Sequence, residues 1–207
     1  MKYQWKLAQQ LTLFQKYFKL DEYSVSHELF DGGYSPVFTR EIFERGVVVA
    51  VLPFDPVRRR VVLIEQFRAG ALANDDGPWL IECVAGVIES GESEEQVAMR
   101  ESEEEAGCKI TKLEAIHRYY VSPGGTTEHC SLFCGIVDSE GIGGIHGLAD
   151  ENEDIRVLVV DSEQAYTWLR EGNIKSSATI IGLQWLQLNE SRLTAGQHFS
   201  PGDGMIA

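Results

Sequence analysis

Gly86-Val87-Ile88-Glu89-Ser90-Gly91-Glu92-Ser93-Glu94-Glu95-Gln96-Val97-Ala98-Met99-Arg100-Glu101-Ser102-Glu103-Glu104-Glu105-Ala106-Gly107-Cys108 is the most informative run in the chain. Ser93-Glu94-Glu95-Gln96 has the capping-box pattern, in which the first side chain and the fourth satisfy each other's backbone N–H groups, and Gly107 supplies a C-terminal stop. The spacing predicts a helix over 93–106. Between Glu89 and Glu105 there are eight glutamates in seventeen residues. An acidic, solvated surface face is the simplest account of them. Their position argues for more, because Glu103, Glu104 and Glu105 sit at the negative end of the helix dipole, where each exposed carboxylate costs about 0.3–1 kcal/mol. At 100° per residue, Glu101, Glu104 and Glu105 fall within an arc of about 100° and repel one another at i,i+4. A cation on that face offsets both penalties. Hard divalent ions take oxygen ligands, and Mg²⁺ commonly combines a few carboxylates with the phosphates of a substrate. Arg100 is placed to orient one of the carboxylates.

Working outward from this helix, the chain alternates short elements without internal repeats. Residues 22–30 end at Asp31-Gly32-Gly33 and read as a strand entering a turn, and a second strand follows through Val37 to Phe43. Val47 to Leu52 and Val61 to Ile64 are β-branched runs, and the prolines of Pro53-Phe54-Asp55-Pro56 argue against regular pairing between them. Trp79 to Val84, Ile110 to Val121, His129 to Val137 and Ile155 to Val160 read as further strands. The Gly-rich 141–147 reads as a flexible loop, and 162–171 and 175–189 as two C-terminal helices. The order is a mixed α/β domain, 46–207, preceded by a small β segment, 1–45.

With 207 residues, 18 Lys and Arg and 32 Asp and Glu, the net charge is −14. That repels a phosphate backbone, so no nucleic-acid partner is expected. No apolar run approaches the roughly 20 residues of a membrane span. The first residues lead into no signal-like apolar stretch, and a cytoplasmic location is expected. Cys83, Cys108, Cys130 and Cys134 form no Cys-x-x-Cys pair, which predicts packed thiols rather than a disulfide framework or zinc ribbon. The five histidines lack paired metal-ligand spacing.

Gly86, Glu92, Arg100, Glu101, Glu104, Glu105 and Gly107 match the fixed letters of the Nudix box, Gly-x5-Glu-x7-Arg-Glu-U-x-Glu-Glu-x-Gly-U, where U is bulky and apolar. The chain thus resembles the Nudix hydrolases. Two positions depart from the pattern: Ser102 and Cys108 both stand at U. The likeness extends to the bacterial ADP-ribose pyrophosphatase subfamily through Arg40-Glu41-Ile42-Phe43-Glu44-Arg45-Gly46, Pro53-Phe54-Asp55-Pro56, Ser122-Pro123-Gly124-Gly125-Thr126 and the segment from Gly144 to Asp154. Pro123, about fifteen residues past the box, resembles that subfamily's mark. The resemblance implies a Nudix α/β/α sandwich with an N-terminal β domain exchanged between the subunits of a homodimer.

It further implies Mg²⁺-dependent hydrolysis of the pyrophosphate of ADP-ribose to AMP and ribose 5-phosphate, with Mn²⁺ as a substitute and two or three ions in play. Glu101 and Glu105, the backbone carbonyl of Ala85, and Glu153 match metal-ligand positions, and Glu104 joins through water. Glu151 matches the loop carboxylate that acts as general base. Arg68 matches the residue binding the pyrophosphate or the terminal-ribose phosphate. Tyr17, Phe18, Arg40, Glu41 and Arg45 match the adenosine side, and Ser122 and Glu128 match positions reaching the terminal ribose. Glu82 is open between metal and substrate. Two alternatives stand beside this reading: a pyrophosphatase of another nucleotide sugar such as GDP-mannose, and a non-catalytic ADP-ribose sensor.

Overall fold

The computed structural model describes residues 3–148 and 152–195. The chain divides into two compact units, Met1–Val48 with Tyr119–Cys130, and Val49–Arg118 with Ser131–Ala207.

The first unit is built on an antiparallel sheet of β1 (Trp5–Gln15), β2 (Lys19–His27) and β3 (Phe38–Glu44), in that order. Sequence periodicity does not disclose β1. Its register against β2 shifts between Leu7 and Gln9 and again between Thr12 and Phe14, which breaks the two-residue alternation that announces a strand. All eleven residues of β1 are exposed. Within the same unit, Ser122–Thr126 folds into a turn in which the Gly125 and Thr126 amides donate to the Ser122 carbonyl (both 3.1 Å). That turn is tied to the end of β3: Phe43 N–H donates to Gly125 O (2.8 Å), and Phe43 O accepts from Thr127 N–H (3.1 Å) and from the Thr126 hydroxyl (2.8 Å).

The main sheet comprises β4 (Val47–Asp55), β5 (Arg60–Phe67), β6 (Trp79–Glu82), β7 (Val84–Val87), β8 (Lys112–Tyr120), β9 (His129–Ile136), β10 (Gly144–His146) and β11 (Ile155–Asp161). Its main path runs β10-β11-β5-β4-β9-β8, with β6 on β5 and β7 on β4. α1 (Glu94–Ala106) covers one face, where Val97 and Ala98 pack with Val49, Val51 and Phe133, and Ala106 packs with Val62, Ile64, Val84 and Val157. α3 (Ser177–Thr194) covers the other face, with Gly182 against Leu52 and Leu132. α2 (Ser162–Glu171) packs on α3 and β11. This is the α/β/α layering that the resemblance implies.

Three local expectations change. The strand expected over 79–84 is split at Cys83, because the Cys83 amide donates to the Thr179 hydroxyl (2.8 Å) and β6 and β7 pair with different neighbours. The Gly-rich 141–147 is not wholly a loop, since Gly144–His146 pairs with Ile155–Val157 as β10. Pro53 does not end β4. It has no N–H to give, yet Phe54 O still accepts from Val137 N–H (3.0 Å), and Phe54 and Asp55 pair with Val61 and Arg60.

All four cysteines are buried and none is in a disulfide. Burial pushes the Cys108 and Cys134 thiols up to about 12, which makes both inert. Among the described residues, no helix is long and apolar enough to cross a membrane.

Candidate active site

α1 is set at both ends by its own sequence. Ser93 Oγ accepts from Gln96 N–H (3.3 Å) while Gln96 Oε1 accepts from Ser93 N–H (2.8 Å). Glu94 and Glu95 lie in the first turn, at the positive end of the dipole. At the other end Gly107 is left-handed (φ 61°), so that its amide reaches Glu103 O (3.0 Å) and the Cys108 amide reaches Ser102 O (2.8 Å). No basic residue occupies the last turn. Ser102, the departure from an apolar box position, is fully buried and donates to Ala98 O (2.7 Å). The helix backbone satisfies the hydroxyl, so the side chain fits a dry position.

Arg100 ties the exposed flank of the carboxylate face together. Its Nε and Nη2 donate to the two oxygens of Glu92 (2.9 and 3.1 Å), and its Nη1 donates to Glu101 Oε1 (2.8 Å) and Glu104 Oε2 (3.1 Å). The sequence suggests one oriented carboxylate; the structure has three.

Glu105 faces inward with 3% of its surface exposed, and one carboxylate oxygen accepts from the Ala85 amide (3.0 Å). Burial pushes its carboxyl up to about 8, with repulsion from Glu101 and Glu153 adding to the rise and the Ala85 amide and Arg68 opposing it. Glu101 is also raised, first by burial, against the pull of Arg100 and with repulsion from Glu104 and Glu153. Glu153 comes from the loop before β11. Its carboxylate accepts from Leu148 N–H (3.3 Å) and its own amide donates to Leu148 O (3.1 Å). Gly147, which the sequence marks only as part of a flexible glycine-rich loop, permits this: at φ 97° it has no Cβ, and one there would lie 2.8 Å from Glu153 Cβ. Glu151 lies outside the described residues.

Arg68 follows β5 and its Nε donates to Glu82 (2.6 Å), while its charge attracts Glu105. Glu82, Arg68, Ala85, Glu101, Glu105 and Glu153 therefore share one electrostatic neighbourhood. Among the described residues, no three carboxylate, imidazole or thiol groups form a preformed metal cage. The donor set nevertheless suits a hard divalent ion. It consists of carboxylates that repel one another, one of them buried at a charge cost that a bound cation would relieve.

Gly86 has a definite reason to be glycine: a Cβ there would lie 1.8 Å from Glu101 Oε1. Gly86→Ala is expected to swing Glu101 off its position and lower activity on the order of tenfold, less than the roughly 10²-fold that a fixed 1 Å misplacement can cost, because the glutamate side chain is flexible. Steady-state turnover, with circular dichroism as a control for folding, checks this.

The remaining residues singled out in the sequence belong to the first unit. Arg45 donates to Glu128 (2.8 Å) and lies over the Phe18 ring (4.5 Å), which meets Tyr17 and Phe43 edge-on at centroid distances of 4.7 and 5.0 Å. Tyr17 is 89% exposed. Tyr17, Phe18, Arg45 and Glu128 thus form one group. Arg40 instead stacks on Phe38 (4.6 Å) and bonds Thr39 O (2.7 Å), and Glu41 faces Glu22 on the adjacent strand. Ser122 anchors the turn that meets Phe43.

A NUDIX domain model matches residues 44–197. The ADP-ribose pyrophosphatase of Escherichia coli (strain K12) is 53% identical over 182 residues, covering 88% of this chain and 87% of that protein. The ADP-ribose pyrophosphatase of Haemophilus influenzae is 49% identical over 185 residues, covering 88% and 85%. Among solved structures, one described as an ADP compounds hydrolase superposes with a TM-score of 0.64 over 91% of this chain and 96% of that one. At 19% identity this is a likeness of fold alone.

Proposed function

This chain belongs to the NUDIX domain family, and from that premise we propose that it hydrolyses the pyrophosphate of ADP-ribose to AMP and ribose 5-phosphate with the help of divalent metal. The observation that carries the reading is the inward-facing Glu105, buried beside Glu101 and Glu153 and next to Arg68. Arg100 and Arg68 offset only part of the cost of these carboxylates, since Glu101 and Glu105 both remain raised, and a bound divalent cation would relieve the rest.

Glu101, Glu105, Glu153 and the Ala85 carbonyl are the proposed metal ligands, for two or three Mg²⁺ ions, with Mn²⁺ as a substitute. When bound, such ions supply charge neutralisation at the diphosphate and a lowered pKa for the attacking water. The chain's own groups do the rest. The Ala85 amide fixes the Glu105 carboxylate, and Arg100 fixes Glu101 and Glu104. Arg68 binds a phosphate, with Glu82 holding its guanidinium in place. Glu151 takes the proton from water as the new P–O bond forms and the bridging P–O bond breaks. Tyr17, Phe18, Arg40, Glu41 and Arg45 are assigned to adenosine, and Ser122 and Glu128 to the terminal ribose. The stacking of Arg45 on Phe18 and its ion pair with Glu128 support a preorganised polar-aromatic patch in that unit.

The segment 1–45 is the proposed dimerisation element, swapped between two subunits. The exposure of Trp5, Leu7, Leu11, Leu13 and Phe14 on β1 supports it. Sedimentation is expected to give a dimer, and a stable monomer with full activity would contradict a shared site. Four buried thiols outside any disulfide suit the cytoplasm. The deciding experiment incubates the protein with Mg²⁺ and a panel of nucleotide sugars in ¹⁸O-water. Release of AMP from ADP-ribose supports the reading, and label position identifies the attacked phosphorus. Preference for GDP-mannose would transfer the same chemistry to that substrate, and binding without turnover would make the protein a sensor.

A further inference from the structure

Gln66 stands out on β5. It is 6% exposed, and its Nε2 has no hydrogen-bond acceptor among the described residues. Burying an amide donor unpaired is a net cost that an apolar side chain of similar length would avoid. The strand register shows which way it faces. Ile64 lies opposite Glu82 and Gln66 opposite Leu80, and opposed residues in an antiparallel pair share a face. Ile64 packs with Val84 and Ala106, on the side covered by α1, so Gln66, two residues on, lies on that side as well. The intervening Glu65 points the other way and pairs with Arg156. Along β5, Gln66 therefore follows Ile64 of the α1 core on the same face and comes two residues before Arg68, whose guanidinium holds Glu82 and attracts Glu105.

We infer that Gln66 is a further substrate-binding residue, its carboxamide N–H reserved for an oxygen of the diphosphate beside Arg68. The inference rests on the nucleotide-sugar reading of this site. A neutral donor suits the place. A second cation there would be captured by Glu82 or Glu105, and a carboxylate would repel the phosphates, whereas a neutral amide does neither.

The test compares wild type with Gln66→Met and Gln66→Glu, titrating ADP-ribose by calorimetry in divalent-free buffer and measuring the thermal midpoint without ligand. Gln66→Met is expected to melt no lower than wild type and to bind ADP-ribose at least fivefold more weakly, while Gln66→Glu binds more weakly still. A merely structural role would move the midpoint downward and leave affinity alone. Affinity within twofold of wild type in Gln66→Met overturns the inference. If that variant fails to fold, unchanged affinity in Gln66→Glu, which keeps the length and polarity, overturns it equally. Wild type that neither binds ADP-ribose there nor releases AMP from it with Mg²⁺ sinks the functional reading itself; AMP release without metal-free binding moves the same comparison to KM with Mg²⁺, where Gln66→Met within twofold of wild type overturns the inference.

Discussion

Glu105→Gln is expected to lower turnover at least a hundredfold while weakening substrate binding only modestly. The amide keeps an oxygen for the Ala85 N–H, so the helix and the strand beneath it remain joined, but the negative charge that a divalent ion needs is gone. Near-normal turnover at saturating metal would remove Glu105 from the ligand set. Stability should move with pH in a definite direction. Folding raises this carboxyl from an ordinary value of 4.5 to about 8, chiefly by burial. The folded state then holds the proton more tightly than the unfolded chain, so stability is greatest below the ordinary value and is lost as pH climbs through that window. Each tenfold gain in proton affinity on folding is worth about 1.4 kcal/mol, so the loss amounts to a few kcal/mol. Glu101, Glu153 and Arg68 face the same carboxyl, and Glu101 is itself raised, so Glu105→Gln should flatten the slope without abolishing it. In metal-free protein the melting midpoint is expected to fall between about pH 5 and about pH 8 in wild type and much less in the variant. Mg²⁺ added at the upper end should restore the wild type and do little for Glu105→Gln. A wild-type midpoint that is flat with pH would show that this carboxyl is not buried with its charge uncompensated.

Glu151→Gln is expected to leave metal affinity intact and lower the rate on the order of 10²–10⁴-fold, the usual contribution of a positioned general base. The residue lies outside the described part of the chain. Gly147 and Asn152 are both left-handed, at φ 97° and 58°, and Leu148 holds Glu153 through two hydrogen bonds. Metal titration by calorimetry beside single-turnover kinetics separates the roles. If affinity and rate fall together, Glu151 is a ligand and the base must be sought elsewhere.

The carboxylate helix is the most legible part of the molecule. Its capping box, its glycine stop and its acidic face depend on residues within a turn or two of one another, and each appears in the structure. The pairing of Arg100 with Glu92 is also local, across the helix start. Elements whose pairing depends on distant partners are harder to see. Bulges hide β1, and the edge strand β10 takes its conformation from β11 rather than from its own glycine-rich composition. Ser102 reads as a poor substitute for an apolar residue because no pattern shows that its hydroxyl will turn back onto Ala98.

Where the helix begins and ends, which of its faces is acidic, and the kind of ion that face would attract are all written in the order of the amino acids, because caps, dipoles and helical spacing act over a few residues. It takes the folded chain to make Glu105 the buried member, to require Gly86 to leave room for Glu101, to bring Glu153 to them from a remote loop, and to stand Gln66 beside Arg68 with its donor unspent. Burial and repulsion between groups far apart in the chain exist only once the strands have brought them together.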